Sequence, residues 1–197
     1  RKKVKHLYLG IESGLDDVLK FMKKDHDLAQ AYQAIDRLHE AGLIYDAHIM
    51  TGVAGKGRGM ENAEALAQFL NRTNPAHVVN FSMFLHKEVP LYQDIRQGTF
   101  VPADELETIR EEYHLIERIA PEKAGANILY DGFHDFIHVR VRGHLPGDKE
   151  KMLAKLNGII QEYEGKEPVY SFVQGECPDL EYCDDGKAVW DMDRKTS

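Results

Sequence analysis

Apolar residues in this chain fall into short continuous runs that alternate with stretches of helical spacing. Residues 4–9 close on Leu7-Tyr8-Leu9 and break at Gly10-Ile11-Glu12-Ser13-Gly14, which predicts a buried strand running into a turn. Residues 16–24 gather Val18, Leu19, Phe21 and Met22 on one side of a short amphipathic helix. Residues 27–41 set Leu28, Ala31, Ile35 and Leu38 at helical spacing, with Asp27 as cap and Gly42 as terminator. A second strand is expected at 43–51 and a glycine-rich turn, GVAGKGRG, at 52–59. A helix at 61–71 follows, stopped by Asn74-Pro75. The run HVVNFSMFL at 77–85 predicts a third strand, 87–100 a loop with a short helical turn, and 103–119 a strong helix behind Pro102.

Strand alternating with helix three times predicts an α/β fold built on a parallel sheet with right-handed crossovers. The units repeat on the order of every 35 to 40 residues, near the ~30 of an eight-unit barrel, so a partial parallel (β/α) barrel is expected. Three units leave an edge and an inner face uncovered, and a parallel strand needs neighbours and cover. The chain is therefore expected to begin inside a longer protein, with a missing N-terminal half as its structural partner. Past Pro121, residues 127–143 read as extended and 146–164 as a helix bearing Met152, Leu153, Leu156, Ile159 and Ile160. The tail from 165 is polar, with a strand-like stretch at 169–173 and an acidic end that includes Asp184, Asp185 and Trp190, expected to wrap the surface or be partly mobile. The expected regions are 1–119, a barrel half; 120–166, a C-terminal extension with its helix; and 167–197, the acidic tail.

With 43% hydrophobic residues among 197, the chain can form a real core. A net charge of −8 argues against a nucleic-acid partner. No apolar run approaches the ~18 residues of a membrane span and no signal segment is seen, so no membrane partner and a cytoplasmic location are expected. Cys177 and Cys183 are too few for a secreted disulfide framework and point to a reducing compartment; they read as two unpaired thiols rather than as a metal site.

Three strand ends, taken together, resemble the second half of the radical S-adenosylmethionine enzymes. The likeness is to the branch related to oxygen-independent coproporphyrinogen oxidases and to elongator-like or methylthiotransferase-like proteins. Residues 9–24 (LGIESGLDDVLKFMKK) are similar to that family's fourth strand and helix, 48–55 (HIMTGVAG) to its fifth strand and turn, and 81–100 to its sixth strand with the P-L-Y…G-x-F continuation. The segment 142–156 (RGHLPGDKEKMLAKL) is also similar to the carboxyl end of some members. The resemblance implies the last three units of a (β/α)6 barrel, with S-adenosylmethionine as cofactor. It also implies a [4Fe-4S] cluster on a Cys-x3-Cys-x2-Cys loop that is not in this sequence. The intact parent would cleave the cofactor reductively to a 5'-deoxyadenosyl radical, while the fragment alone would be inactive. By the same resemblance Glu12 and Ser13 touch the ribose or methionine part, Lys24 pairs with the methionine carboxylate, Ile49 and Met50 flank the adenine, and the backbone at Leu85 and His86 binds its edge. The family's Pro-Gly-Glu turn appears here as Ala54-Gly55-Lys56, a departure that loses the proline and the acid.

Other readings of the same residues stand beside this one. Ser13 also suits a helix cap ahead of Asp16 and Asp17. The Gly55–Gly59 stretch holds two cations among glycines, but its spacing is not that of a phosphate loop and it reads as a mobile turn. His134 and His138 (HDFIH) share a face on a helix but stand ~13 Å apart on a strand, and their apolar neighbours favour the strand. His48 and His86 lie at strand ends as acid–base candidates, and a TIM-barrel hydrolase or lyase using Glu12 and His48 is the alternative enzyme. A non-catalytic interaction domain is a third reading. The charges at Asp104, Glu105, Glu107, Arg110, Glu111 and Glu112 read as a solvated helix face.

Overall fold

The computed structural model describes residues 4–172 and, beyond them, the backbone of Cys183–Asp184 and Lys187–Ala188. In chain order the elements are β1 (His6–Glu12), α1 (Asp16–Phe21), α2 (Leu28–Glu40), β2 (Ile44–Thr51), α3 (Gly59–Thr73), β3 (His77–Ser82), α4 (Leu91–Arg96), α5 (Glu105–Arg118), β4 (Ile128–His134), β5 (Val139–Leu145), α6 (Lys149–Tyr163), β6 (Cys183–Asp184) and β7 (Lys187–Ala188).

Local chemistry sets the helix ends. Asp27 accepts from the Gln30 amide while the Gln30 side chain accepts from the Asp27 amide, a reciprocal box that starts α2. Gly42 follows α2 at φ 68°, a conformation open to glycine. Asn74 ends α3 in the left-handed region, ahead of Pro75. Asp104 caps α5 by accepting from the Glu107 amide at 2.9 Å.

The main sheet has the order β1-β2-β3-β4-β5; its first four strands are parallel and β5 returns antiparallel to β4. The expected α/β alternation holds for β1 to β3. The sheet then continues past residue 119, because β4 is a fourth parallel strand beside β3. The stretch expected as one extended segment is thus two strands, broken by a 3-10 turn at Asp135–Ile137 and by His138 at φ 55°.

Side chains alternate across the sheet. Ile11, Tyr45, Ala47, Ile49, Val78, Tyr130, Val141 and Leu145 face α2, α3, α5 and α6 and are buried against Ile35, Leu66, Phe69, Leu70, Ile109, Leu115, Ile116 and Leu156. Each valine, leucine, isoleucine or phenylalanine among these contributes ~1.5–3 kcal/mol when fully buried, which makes this face a major source of the fold's stability. The opposite face carries Tyr8, Asp46, His48, Met50, His77, Val79, Phe81, Asp131, Phe133, Arg140 and Arg142. Its rows run straight across the strands: Gly10, His48, Val79, Asp131 and Arg142 form one, and Met50, Phe81, Phe133 and Arg140 the next. A second cluster, with Val18, Val53, Ala54, Met83, Leu85, Ile95 and Phe100, closes the carboxyl ends of the strands. Among the described residues no helix is long and apolar enough to cross a membrane.

Candidate functional site

Parallel strands present side chains at their carboxyl ends, where the ladder stops and polar groups are released. At the end of β1 the register with β2 slips between Gly10 and Glu12, and Glu12 takes φ 62°. A left-handed conformation costs a non-glycine residue ~1–3 kcal/mol, and such strain gathers at functional sites. The slip lays the Glu12 carboxylate back along the strand, where Lys24 Nζ donates to Oε1 at 3.1 Å. A Cβ on Gly10 would stand 2.7 Å from that oxygen, so a side chain there would displace the Glu12 carboxylate from its present position. Both side chains keep partial exposure, 24% for Glu12 and 31% for Lys24. A groove of about 500 Å³ opens beside them, lined in part by Gly10, Lys24, His26 and Gln30. Two residues assigned to one ligand from sequence are thereby in contact across 12 positions.

The other assigned residues divide between two settings. Met50 is half-buried on the same sheet face as His48 and packs against the cluster of Val18, Met83 and Leu85. His86, also half-buried, lies past the end of β3 and accepts from the Glu88 amide at Nδ1, 3.1 Å. Ile49 points the opposite way, 1% exposed within the helix-facing core. Leu85 is buried, and its amide donates to the Ser171 carbonyl at 2.6 Å, so residues 169–172 lie along the continuation of β3. Ser13 is closed to solvent; its hydroxyl donates to Asn62 Oδ1 at 2.6 Å and accepts from the Leu15 amide at 3.1 Å. The residue at the N-cap of α1 is Leu15, so Ser13 fixes the turn two residues earlier than a cap would.

Beneath this rim runs a buried polar network that the sequence reading assigned to solvent. Glu105, Glu111 and Glu112 are each at most 1% exposed, which corrects the expectation of a solvated face on α5. Glu111 accepts from Asn62 at 2.7 Å and from the Gly52 amide at 2.8 Å. Glu112 accepts from Asn80 at 3.0 Å and from the Tyr130 hydroxyl at 2.9 Å. His134 bridges Glu112 and Glu105 with its two ring nitrogens, at 3.1 and 3.0 Å. Glu105 also accepts from Ser82 at 3.0 Å and from Ser171. Through Ser13, Gly52, Ser82 and His134 every parallel strand end is tied to α3 or α5. Burial lowers the His134 imidazole, but the Glu112 and Glu105 carboxylates outweigh it and push the group up to about 10. Burial pushes Glu111 up to about 8 against the pull of Asn62 and the Gly52 amide. Sequence held a signal for this: Glu105, Thr108, Ile109, Glu112, Leu115, Ile116 and Ile119 form one buried stripe at helical spacing.

The glycine-rich turn is a clasp. Lys56 donates its amide to the Val101 carbonyl at 2.8 Å, Gly57 to Glu107, and Arg58 to the Gly55 carbonyl at 3.2 Å. The Arg58 guanidinium is divided between Asp17 at 2.7 Å and Glu61 at 2.8 Å. These amides therefore face protein oxygens and form no anion cradle, and the expected mobile turn is a tethered one. His138 is exposed in its left-handed turn while His134 is buried on its glutamates, so the two do not pair. His48 lies with its ring 5.0 Å from Tyr8 and 6.1 Å from Phe81.

For the implied cofactors, the Glu12 carboxylate suits ribose hydroxyls or an ammonium, and Lys24 suits a carboxylate, so the donor set fits an amino-acid-bearing nucleoside. Among the described residues no three His, Cys, Asp or Glu side chains are placed to hold a metal ion. Cys177 and the side chain of Cys183 lie outside the described residues.

No protein-family model matches the chain. No curated protein matches it either. Among solved structures it is similar to the archaeal Methanocaldococcus infernus Elp3 with N-terminus deletion (1-46), at a TM-score of 0.58 and 19% identity over 80% of this chain. The match spans 36% of that protein's chain. At this identity the likeness establishes a shared mixed α/β fold, with a mostly parallel sheet and helices packed on it.

Proposed function

We propose that this chain is the C-terminal part of a radical S-adenosylmethionine enzyme and holds the cofactor at the carboxyl rim of its parallel strands. The observation that carries the reading is the Glu12–Lys24 ion pair, set on a strained turn over Gly10 at the end of an edge strand. It offers both charges that an amino-acid group needs. In this reading Glu12, Lys24, Met50 and His86 face the ligand, Ser13 and Leu85 hold the turns that present it, and Ile49 packs in the core behind them. The fold likeness to an Elp3 supports it, since elongator-like proteins stand among those the strand-end motifs resemble. The chemistry such a cofactor supplies when bound is reductive cleavage at an iron–sulfur cluster; this chain's part is to bind and orient. The cluster ligands would come from another segment of the parent protein, and the substrate would meet the uncovered sheet face.

The test is calorimetric titration of the chain with S-adenosylmethionine, together with the coding sequence upstream of Arg1. Weak, saturable binding is expected, reduced about tenfold by Glu12→Ala, the ~1.4 kcal/mol of one charge-assisted hydrogen bond. Binding unchanged by Glu12→Ala, or an upstream sequence with no Cys-x3-Cys-x2-Cys, would reject the proposal.

A further inference from the structure

Asp46 stands out on the sheet face opposite α2, α3, α5 and α6. Tyr45, Ala47 and Ile49 of β2 enter the core, so Asp46 projects from the other side with His48 and Met50. It is nevertheless only 2% exposed. One oxygen, Oδ2, lies 3.1 Å from Nδ1 of the half-exposed His6. The other, Oδ1, is buried with no hydrogen-bond partner among the described residues, and the same is true of Nε2 of His77. The two belong to one row of the sheet, because Ala47 pairs with Val78. Leaving a buried acceptor unmatched costs ~1–3 kcal/mol, and native folds seldom tolerate it without a purpose.

Tyr8 explains how Asp46 is shielded. It is in register with Asp46 on β1, yet its ring reaches to 5.0 Å from that of His48 and 6.2 Å from that of His77, which stands one strand beyond Asp46. The ring therefore leans across β2. Tyr8 is itself 56% exposed and, among the described residues, is held by ring contacts, so it can swing aside as exposed side chains do within nanoseconds.

The surroundings select the ligand. Asp46 is the negative group of this row, and the arginines of the face are engaged elsewhere. Arg140 donates to Asp131 at 2.8 and 2.7 Å, and Arg142 approaches the same carboxylate at 3.6 Å. Burial, aided by Arg142 and His48, lowers the His77 imidazole below its usual value against the pull of Asp46 and Asp131, so the ring is neutral near pH 7 and does not itself repel a cation. Tyr8 supplies an aromatic face. A carboxylate with one oxygen lacking a donor, beside a neutral imidazole and an aromatic ring, favours a cation that carries N–H groups over a neutral or anionic ligand.

We propose that Asp46, gated by Tyr8 and flanked by His77, binds a protonated primary amine on the open face of the sheet. This site lies within the strands rather than at the Glu12–Lys24 rim, and it stands if the cofactor reading fails.

The test uses benzylamine as probe, with benzyl alcohol and benzoate as neutral and anionic counterparts, titrated into the full 197-residue chain at neutral pH and followed by NMR of the Tyr8 and His77 rings. Saturable benzylamine binding is expected, with both rings shifting, at least tenfold weaker for benzyl alcohol and absent for benzoate. Asp46→Asn should weaken benzylamine at least tenfold and at the same time raise the melting temperature, because it removes a buried charge that is only half paired. A purely structural aspartate would behave in the opposite way. Absence of saturable benzylamine binding, equal affinity for the alcohol, undiminished binding to Asp46→Asn, or a lower melting temperature in that variant would each overturn the proposal.

Discussion

Nε2 of His134 lies 3.1 Å from Oε2 of Glu112, and neither side chain meets solvent. The pair joins the end of β4 to the middle of α5, and Glu105 takes the second ring nitrogen at 3.0 Å. Removing one member of a buried ion pair costs ~3–5 kcal/mol, because the remaining charge keeps its desolvation penalty. His134→Ala should lose about that much in urea unfolding, a large share of the ~5–15 kcal/mol that holds a typical domain together. A loss below ~1 kcal/mol would mean that the glutamates find other partners.

The same network sets a pH dependence. Glu111 rises from 4.5 to about 8 in the folded state, so the native form keeps a proton that the unfolded chain releases. Its burial therefore costs stability increasingly above 4.5, in full above 8. His134 rises from 6.5 to about 10, so its contribution is complete below 6.5 and lost as pH climbs through 10. Both groups act in one direction, and the melting temperature should fall from about pH 5 to about pH 10. Glu111→Gln should flatten the acid half of that slope, and His134→Ala the alkaline half. A melting temperature that climbs between pH 5 and 8 would contradict the assignment.

What sequence conveyed, and what it hid, follows from which signals are local. The periods of β1, α2, β2, α3 and β3, the Asp27 cap and the Asn74-Pro75 stop are written in neighbouring residues and were legible. The reversal between β4 and β5 carries no glycine or proline, so the left-handed turn at His138 had no local mark. Glu105 and Glu112 appear solvated as long as charge alone is weighed; their place in the stripe of Ile109 and Leu115 is what betrays burial. The partner that makes burial tolerable, His134, lies 22 residues from Glu112 and could not be matched to it without the fold. At the rim, Glu12 and Lys24 were nameable by resemblance, while the inward turn of Ser13 depends on Asn62, which is 49 residues away.

Gly14 should tolerate no side chain. A Cβ there would stand 2.5 Å from the backbone of Ala65 and Leu66, so α3 itself would have to move. That helix carries Asn62, which accepts from Ser13 and from the Gly14 amide, so the shift would also loosen the turn behind Glu12. Overpacking of this kind costs ~1–3 kcal/mol. Gly14→Ala should show that loss in urea unfolding together with weakened S-adenosylmethionine binding. Gly57→Ala provides a comparison, since nothing lies near its Cβ position and only the positive φ of 81° opposes it. A loss below ~1 kcal/mol for Gly14→Ala would show instead that α3 yields to the added methyl group.

The clasp at residues 52–59 yields a prediction in which little should happen. Its two cations and its glycines would attract an anion if the amides were open, but Gly57 donates to Glu107 and Lys56 to the Val101 carbonyl. The Arg58 guanidinium, 37% exposed, is already shared by Asp17 and Glu61. Inorganic phosphate should therefore leave the Gly55 and Gly57 amide resonances unmoved at millimolar concentration. Arg58→Ala should cost under ~1 kcal/mol, as exposed ion pairs do. Glu107→Ala is the informative variant: it frees the Gly57 amide, and amide exchange there should accelerate while Gly55, whose amide bonds to the Gly52 carbonyl at 3.0 Å, stays protected. Phosphate-induced shifts in the unaltered chain would show instead that the clasp opens readily enough to act as an anion site.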